Sequence, residues 1–407
     1  MLKTNSKMIK TIHPFPARMA AELALSEIPD NRSPLHILDP MSGSGTTLAL
    51  ARLRGHNAIG FDRDPLAVLV ARTWISDVDE VGTQKEAIEV LKWAEAAAKQ
   101  RTTDFEYPRH ADEETRKFMD YWFDADNKKQ LTVLAEAISL VQNKTIQDVL
   151  WCAVSRLIIT KSTGVSLAMD VSHSRPHKTY DIAPKRLFQN FLQSVDYIIK
   201  YAPFTNENKF QNKAIVKEAD ARKLPLEDQS IDIIITSPPY LNAIDYLRGH
   251  KLSLVWMGYN IASLRTIRST NIGTENAKKN SLINATDIEI IKMICSGESL
   301  DNRRNGMLLQ YIKDLRATLT ECFRVLKKNG KSVFVIGNCN SRNTFISNSL
   351  AIEIIGQEIG FLVETIRSRP LPENRRYLPP PGIKTAGDAL QKRMREEVIL
   401  TFNKHSK

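Results

Sequence analysis

The chain of 407 residues is 42% apolar and 25% charged, a globular balance that excludes wholesale disorder and, at ~100–200 residues per domain, accommodates one enzyme-sized domain with insertions. Its longest unbroken apolar runs, Leu66–Ala71 and Val149–Val154, exclude a membrane helix of ~20 residues, no secretory leader is expected, and four cysteines (Cys152, Cys295, Cys322, Cys339) without a CxxC pair fit reduced cytoplasmic thiols better than a disulfide frame or a zinc site. With 57 Lys and Arg against 46 Asp and Glu, the net charge of +11 points to a polyanionic partner, meaning nucleic acid.

The first informative element is Leu35–Asp39, a short apolar stretch ending in Asp-Pro. The small-residue turn Met41-Ser42-Gly43-Ser44-Gly45-Thr46-Thr47 follows, and then Leu48–Leu53 with helical composition. The pattern predicts strand, glycine-rich turn and helix, in which glycines let the backbone pass close to a ligand and the helix start offers free N–H groups. Asn57–Pro65 reads as a second strand ending in acid, with Asp62 17 residues past Gly45, and a carboxylate at the tip of strand two is where an open α/β sheet hydrogen-bonds ribose hydroxyls.

From about residue 73 to 210 the period changes. Gln84–Gln100 and Asp112–Val141 carry apolar residues at i, i+3, i+4 spacing, which predicts amphipathic helices with Trp93, Trp122, Phe123 and Trp151 packed between them. Ser162–Arg186 is basic and loop-like, with His173, Arg175, His177 and Lys178, suited to phosphates and to a solvated surface alike. Pro176 between its two histidines argues against a helical metal face.

The sheet resumes with Ala214–Arg222, a strand ending near Asp220, and with Ile231–Ile235, whose β-branched run predicts a buried parallel strand. The latter leads into Thr236-Ser237-Pro238-Pro239-Tyr240. Two prolines end the ladder there and force a rigid exit at the carboxyl end of the strand, the edge where α/β sheets bind ligands. Residues 259–306 are polar, with Arg265, Arg268, Lys278 and Lys279, and weakly periodic. A helix over Leu308–Val325, a turn at Lys327–Gly330, a strand Lys331–Gly337, a helix Ala351–Gly360, a Pro-rich Leu371–Gly382 and a strand Val398–Phe402 complete the pattern.

Asp39-Pro40-Met41-Ser42-Gly43-Ser44-Gly45-Thr46 resembles the cofactor motif of the S-adenosyl-L-methionine-dependent amino-methyltransferases of DNA, and Ser237-Pro238-Pro239-Tyr240 resembles their catalytic motif. His13-Pro14-Phe15-Pro16-Ala17-Arg18 is similar to the segment that closes over the methionine part of the cofactor. The resemblance covers roughly residues 10–75 and 212–402. It implies an α/β fold, a Rossmann-like doubly wound methyltransferase sheet with a large helical insertion, and S-adenosyl-L-methionine as cofactor. It also implies roles. Gly43 and Gly45 would admit the cofactor to the backbone, within a set that includes His13, Pro40, Met41, Ser44 and Thr46. Asp39 would lie near the charged methionine end, Asp62 on the ribose and Asp220 beside the adenine amino group. Ser237, Pro238, Pro239 and Tyr240 would be catalytic.

The chemistry accounts for those residue types. An exocyclic amino nitrogen is a poor nucleophile because its lone pair is delocalised into the base. Acceptors aimed at its N–H groups, the Ser237 hydroxyl and the Pro238 carbonyl, favour a tetrahedral nitrogen and free the lone pair for in-line attack. The prolines hold that carbonyl rigid, and Tyr240 offers a face on which an extruded base can stack. In the family, Ser before Pro-Pro-Tyr is commonest among cytosine-N4 enzymes and Asn or Asp among adenine-N6 enzymes, so Ser237 favours N4-cytosine.

The expected division is residues 1–75 for the first, cofactor-binding part, 76–210 for a mainly helical insertion that is a candidate target-reading region, and 211–407 for the second, catalytic part with a variable insertion at about 259–306. Many N4-cytosine enzymes are circularly permuted relative to this motif order, which leaves the target-reading region open between residues 75–210 and 241–306. In the second of these, Asn242, Asp245, Arg248 and His250 are candidates to flank the base, and Arg367, Arg369, Arg375 and Arg376 are candidates to grip phosphates. The leading expectation is a cytoplasmic, site-specific methyltransferase of double-stranded DNA in a restriction–modification setting with a cognate endonuclease, without membrane association. The alternatives are adenine N6 as target, an RNA amino group, and a non-catalytic nucleic-acid-binding protein; the intact acceptor motif and glycine turn argue against the last.

Overall fold

The computed structural model describes residues 10–16, 18–30, 33–101, 107–169, 171, 176–205, 211–241, 246–273, 284–298, 300–341, 344–371 and 396–405. His173, Arg175, Asn242, Asp245, Lys278, Lys279, Arg375 and Arg376 lie outside the described residues.

In chain order the first elements are α1 (Ala21–Glu27), β1 (His36–Asp39), α2 (Thr46–Leu53), β2 (Asn57–Asp62) and α3 (Pro65–Ile75). Then come α4 (Glu80–Gln100), α5 (Glu113–Trp122), α6 (Ala125–Ser139), α7 (Lys144–Ile158), a short hairpin of β3 (Ala168–Met169) and β4 (His177–Lys178), and α8 (Leu187–Tyr201). The chain returns through β5 (Ala214–Glu218) and β6 (Ile231–Thr236) to α9 (Leu247–Leu254), α10 (Ile261–Ser269), α11 (Ala285–Ile294) and α12 (Asn302–Val325). It closes with β7 (Leu326–Gly337), β8 (Cys339–Ser341), β9 (Thr344–Ile346), α13 (Asn348–Ile359), β10 (Leu362–Pro370) and β11 (Glu396–Asn403).

Among the described residues seven strands form the main sheet, in the order β10-β11-β7-β6-β1-β2-β5. The pairs β5–β2, β2–β1, β1–β6 and β6–β7 are parallel, and β11 runs antiparallel to both β7 and β10. From β1 the chain steps outward through β2 to β5 and then crosses back to place β6 on the other side of β1. The strand order therefore reverses between β1 and β6, the switch point at which open α/β sheets bind ligands at the carboxyl edge. This is the doubly wound, Rossmann-like sheet of the sequence expectation.

Period-two alternation sends the strands' side chains to two apolar cores. Ile37, Ile233, Ile235, Val333 and Val335 face a core shared with α1–α9 and part of α10, while Leu38, Ile234, Phe334, Ile336 and Leu400 face one shared with α11, α12 and α13. The helices of the 76–210 stretch thus pack directly on the sheet domain. Asp148 on α7 is buried and ion-paired with Arg72 on α3, their second contact spanning 2.8 Å. The stretch after the Ser237–Tyr240 motif joins the same layer, with Ile261 N–H donating to Thr115 Oγ1 on α5 (3.0 Å).

Several expectations change. Asp112–Val141 is two helices, because buried Phe123 is extended (φ −134°) and Asp124 starts α6 by accepting the Asn127 N–H at 2.8 Å. Residues 259–306 hold α10, α11 and the start of α12, each begun by an Asn or Asp cap. The turn at Lys327–Gly330 is a bulge within β7: Ile231 pairs with Leu326 but Ile233 with Lys331, and Asn329 has φ +62°. Arg367 and Arg369 sit on β10, where Arg367 is ion-paired with buried Glu27, so it holds the fold rather than standing free for phosphate. Phe123 packs edge-on against Trp256, whereas Trp93 is 44% exposed and is no packing residue. The cysteines are unpaired, and among the described residues no helix is long and apolar enough to cross a membrane.

Candidate active site

The two motif loops leave neighbouring strands at the same edge. At their base, Thr236 Oγ1, the last residue of β6, donates to Asp39 Oδ1, the last residue of β1, at 2.7 Å. Asp39 Oδ1 also accepts the Met41 N–H (3.2 Å), which with Pro40 opens the turn. Burial pushes the Asp39 carboxyl up to about 6 against the pull of the Thr236 hydroxyl bond.

The turn itself is shaped by Asp62. Its Oδ2 accepts the Gly43 N–H (2.8 Å) and its Oδ1 the Asp64 N–H (2.9 Å), with burial and the neighbouring Asp64 raising its pKa to about 6. Each oxygen keeps a lone pair for a further donor such as a hydroxyl. At Gly43 (φ +49°) a side chain would meet only Phe15, in ordinary contact at 3.7 Å. Gly45 (φ +86°) is used differently: a Cβ there would lie 2.8 Å from the Ala71 Cβ, so its bare Cα lets α2 start against α3. Thr46 begins α2 and is buried.

Ser42 Oγ and Ser44 Oγ are buried and find no hydrogen-bond partner among the described residues. Buried hydroxyls are rarely left so. Two orphan hydroxyls, a left-handed glycine and two carboxylates around one turn fit a ligand that carries both cationic and hydroxyl groups, as S-adenosyl-L-methionine does.

His13 is buried against the helical stretch, with Nε2 2.9 Å from Ser155 Oγ on α7 and Nδ1 without a partner among the described residues. Burial, then the nearby His250, holds its pKa well below 6.5, so the ring is neutral. Asp220 lies past β5 and is already engaged. Its Oδ1 accepts Arg222 N–H and Nε (3.0 and 2.9 Å), and its Oδ2 accepts an Arg222 terminal nitrogen and one of Arg63 (2.7 and 2.8 Å). Burial works to raise this carboxyl, but the Arg222 bonds and the two cations outweigh it and hold it below its ordinary value. With each oxygen accepting two bonds, an adenine amino group would have to share them.

Ser237 and Tyr240 are half-buried and Pro238 is buried. The Tyr311 hydroxyl of α12 donates to the Pro239 carbonyl at 3.1 Å, and burial raises the phenol well above 10, so it stays a donor. A Cβ on Gly273, just past α10, would lie 3.3 Å from the Tyr240 carbonyl oxygen. The Ser237–Tyr240 loop is thus held from both flanks. His250 does not flank this loop as an exposed base contact would: it is 1% exposed and bonded to Asp64 at the start of α3.

Sequence reasoning missed Tyr311, Ser155 and Asp64. The first two carry no local signal. Asp64 before Pro65 is a helix-start signature, and its Oδ1 does accept the Leu66 N–H at 2.9 Å.

No protein-family model matches the chain. It is 24% identical over 376 residues to the Type II methyltransferase M.MvaI of Kocuria varians, covering 83% of this chain and 78% of that one. It is also 24% identical over 383 residues to the Type II methyltransferase M.BsoBI of Geobacillus stearothermophilus, covering 80% and 72%. Sheet order, the two motifs at its switch point and the likeness to these Type II methyltransferases all fit the family that the sequence resembles, the S-adenosyl-L-methionine-dependent amino-methyltransferases of DNA.

Proposed function

We propose that the protein methylates the exocyclic amino group of a base extruded from double-stranded DNA, with cytosine N4 as the target. One observation carries the reading: the 2.7 Å bond from Thr236 to Asp39 ties the glycine turn and the Ser237–Tyr240 loop together at the switch point. S-adenosyl-L-methionine, when bound, supplies an activated methyl group. The glycine turn with Asp39, Asp62, Ser42 and Ser44 holds it, and His13 and Phe15 close over it. The Ser237 hydroxyl and the Pro238 carbonyl accept from the base N–H groups, Tyr311 keeps the Pro239 carbonyl fixed, and Tyr240 supports the ring. Unstacking the base costs a few kcal/mol, which stacking on Tyr240 partly offsets. Asp220 acts with Arg222 and Arg63 to shape the far wall of the cofactor site. Ser as first residue of the catalytic motif supports cytosine over adenine. The likeness to Type II methyltransferases supports a restriction–modification setting, and with it we place the protein in the cytoplasm beside an endonuclease of the same specificity.

The test incubates the protein with tritiated cofactor and either duplex DNA or total RNA, then analyses nucleosides and maps the methylated sites. Label in DNA as N4-methylcytosine is expected; label in RNA alone refutes the reading, and N6-methyladenine corrects its target. Ser237→Ala is expected to lose most turnover while cofactor binding persists. Activity within about twofold, less than about half a kcal/mol of barrier, would remove Ser237 from its role.

A further inference from the structure

A closed circuit of contacts surrounds the glycine turn and draws in a helix outside the recognised motifs. The Gly43 N–H donates to Asp62, the Asp64 N–H donates to the other oxygen of Asp62, and His250 Nδ1 lies 2.5 Å from Asp64 Oδ2. With a carboxyl oxygen as partner, Nδ1 carries the hydrogen. The His250 ring packs on Phe15 with 4.9 Å between centroids, and Phe15 in turn lies 3.7 Å from the position of a Cβ on Gly43. Tyr246 stacks on His250, with 6.1 Å between centroids and the planes inclined by 19°. His250 Nε2 is buried without a partner among the described residues.

His250 follows Tyr240 by ten residues. The chain that leaves the sheet with the catalytic motif is therefore fastened at two points beside the turn: at its root by Thr236 on Asp39, and further on by His250 on Asp64. Asp64 is also the cap of α3, a rigid element buried along almost its whole length. A shift of the turn or of Phe15 on cofactor binding thus has a direct path to α9, and the reverse holds for a base that bears on that helix.

We propose that His250 is a positioning residue that couples cofactor binding to duplex binding. The proposal rests on the reading that a base from DNA binds at Ser237–Tyr240. By linkage, each ligand then raises the affinity for the other by the same factor.

The experiment measures the Kd of S-adenosyl-L-homocysteine, which cannot transfer a methyl group, with and without a short duplex containing the mapped methylation site. In the wild type the duplex is expected to tighten binding at least about fivefold, a coupling of roughly 1 kcal/mol. His250→Phe keeps a ring on Phe15 but loses the donor, and its ratio should fall to near one. His250→Asn keeps a donor at the Nδ1 position and should retain most of the ratio. Asp64→Ser keeps an oxygen for the α3 cap but removes the partner of His250, and should also lose the ratio. A purely structural role would lower the melting temperature of the variants and leave the ratio intact. A ratio of one in the wild type, or an unchanged ratio in folded His250→Phe or Asp64→Ser protein, overturns the coupling. A wild type that labels no DNA instead overturns the functional reading beneath it.

Discussion

Asp39 is a buried carboxylate kept at a cost. Its pKa in the fold, about 6 against an ordinary 3.8, is raised, so its contribution to stability is full below about pH 4 and is lost as pH rises through about 6. At pH 7 its ionised form opposes folding. Asp39→Asn keeps an oxygen for Thr236 and for the Met41 N–H while removing the charge, and should raise stability at pH 7 by about 1–3 kcal/mol. The gain should shrink to nothing near pH 4, as urea midpoints at pH 7, 5.5 and 4 would report, and cofactor affinity should fall. A gain that stays constant with pH would contradict the burial argument. The retained charge suits a site for a cation. At this scale the sequence was readable where chemistry is local: turn glycines, a strand-end carboxylate and a proline pair declare themselves. Asp220 shows the limit, because its neighbour Arg222 is visible in sequence but the Arg63 guanidinium that completes its shell is 157 residues away.

Between elements, α2 fits closely against α3 at Gly45. An added methyl would meet the Ala71 Cβ at 2.8 Å and its Cα at 3.0 Å, on a backbone with φ +86°. Gly45→Ala should therefore destabilise by about 2–4 kcal/mol, the sum of left-handed strain and overpacking, measurable as a lowered denaturant midpoint. Gly43→Ala, with only Phe15 at 3.7 Å, should cost only the backbone strain, about 1–2 kcal/mol. Equal losses would refute the packing account. The strands of the two cores were legible because Ile231–Ile235 and Ser332–Ile336 are apolar on both faces, and α4 and α12 because their periodicity is long. β10 was not: it is an edge strand exposed along most of its length, so its residues need not alternate, and its partner β11 lies beyond a long connection. α10 and α11 were hidden for a related reason. Their buried faces are narrow, Ile261 and Leu264 in one, Ile290, Ile291 and Ile294 in the other, so polar residues dominate the pattern.

Across the molecule, the net charge of +11 should make duplex binding strongly salt-dependent. With about six or more phosphates contacted, affinity should fall by roughly a thousandfold between 50 and 200 mM salt, readable by fluorescence anisotropy; a flat profile would mean that the basic surface does not face DNA. The order of the strands was foreseeable only through the family resemblance, since no periodicity says which strands are neighbours. The docking of residues 76–210 onto the sheet was not foreseeable at all, because amphipathic helices announce a buried face without naming what covers it. The position of β11 has one last consequence. It follows β10 in sequence yet lies between β7 and β10, holding both. A nonsense codon ahead of Glu396 would therefore not shave the rim of the protein but take out an inner slat. A nascent chain still on the ribosome likewise carries an open seam, and only when this stretch emerges can the halves be zipped shut.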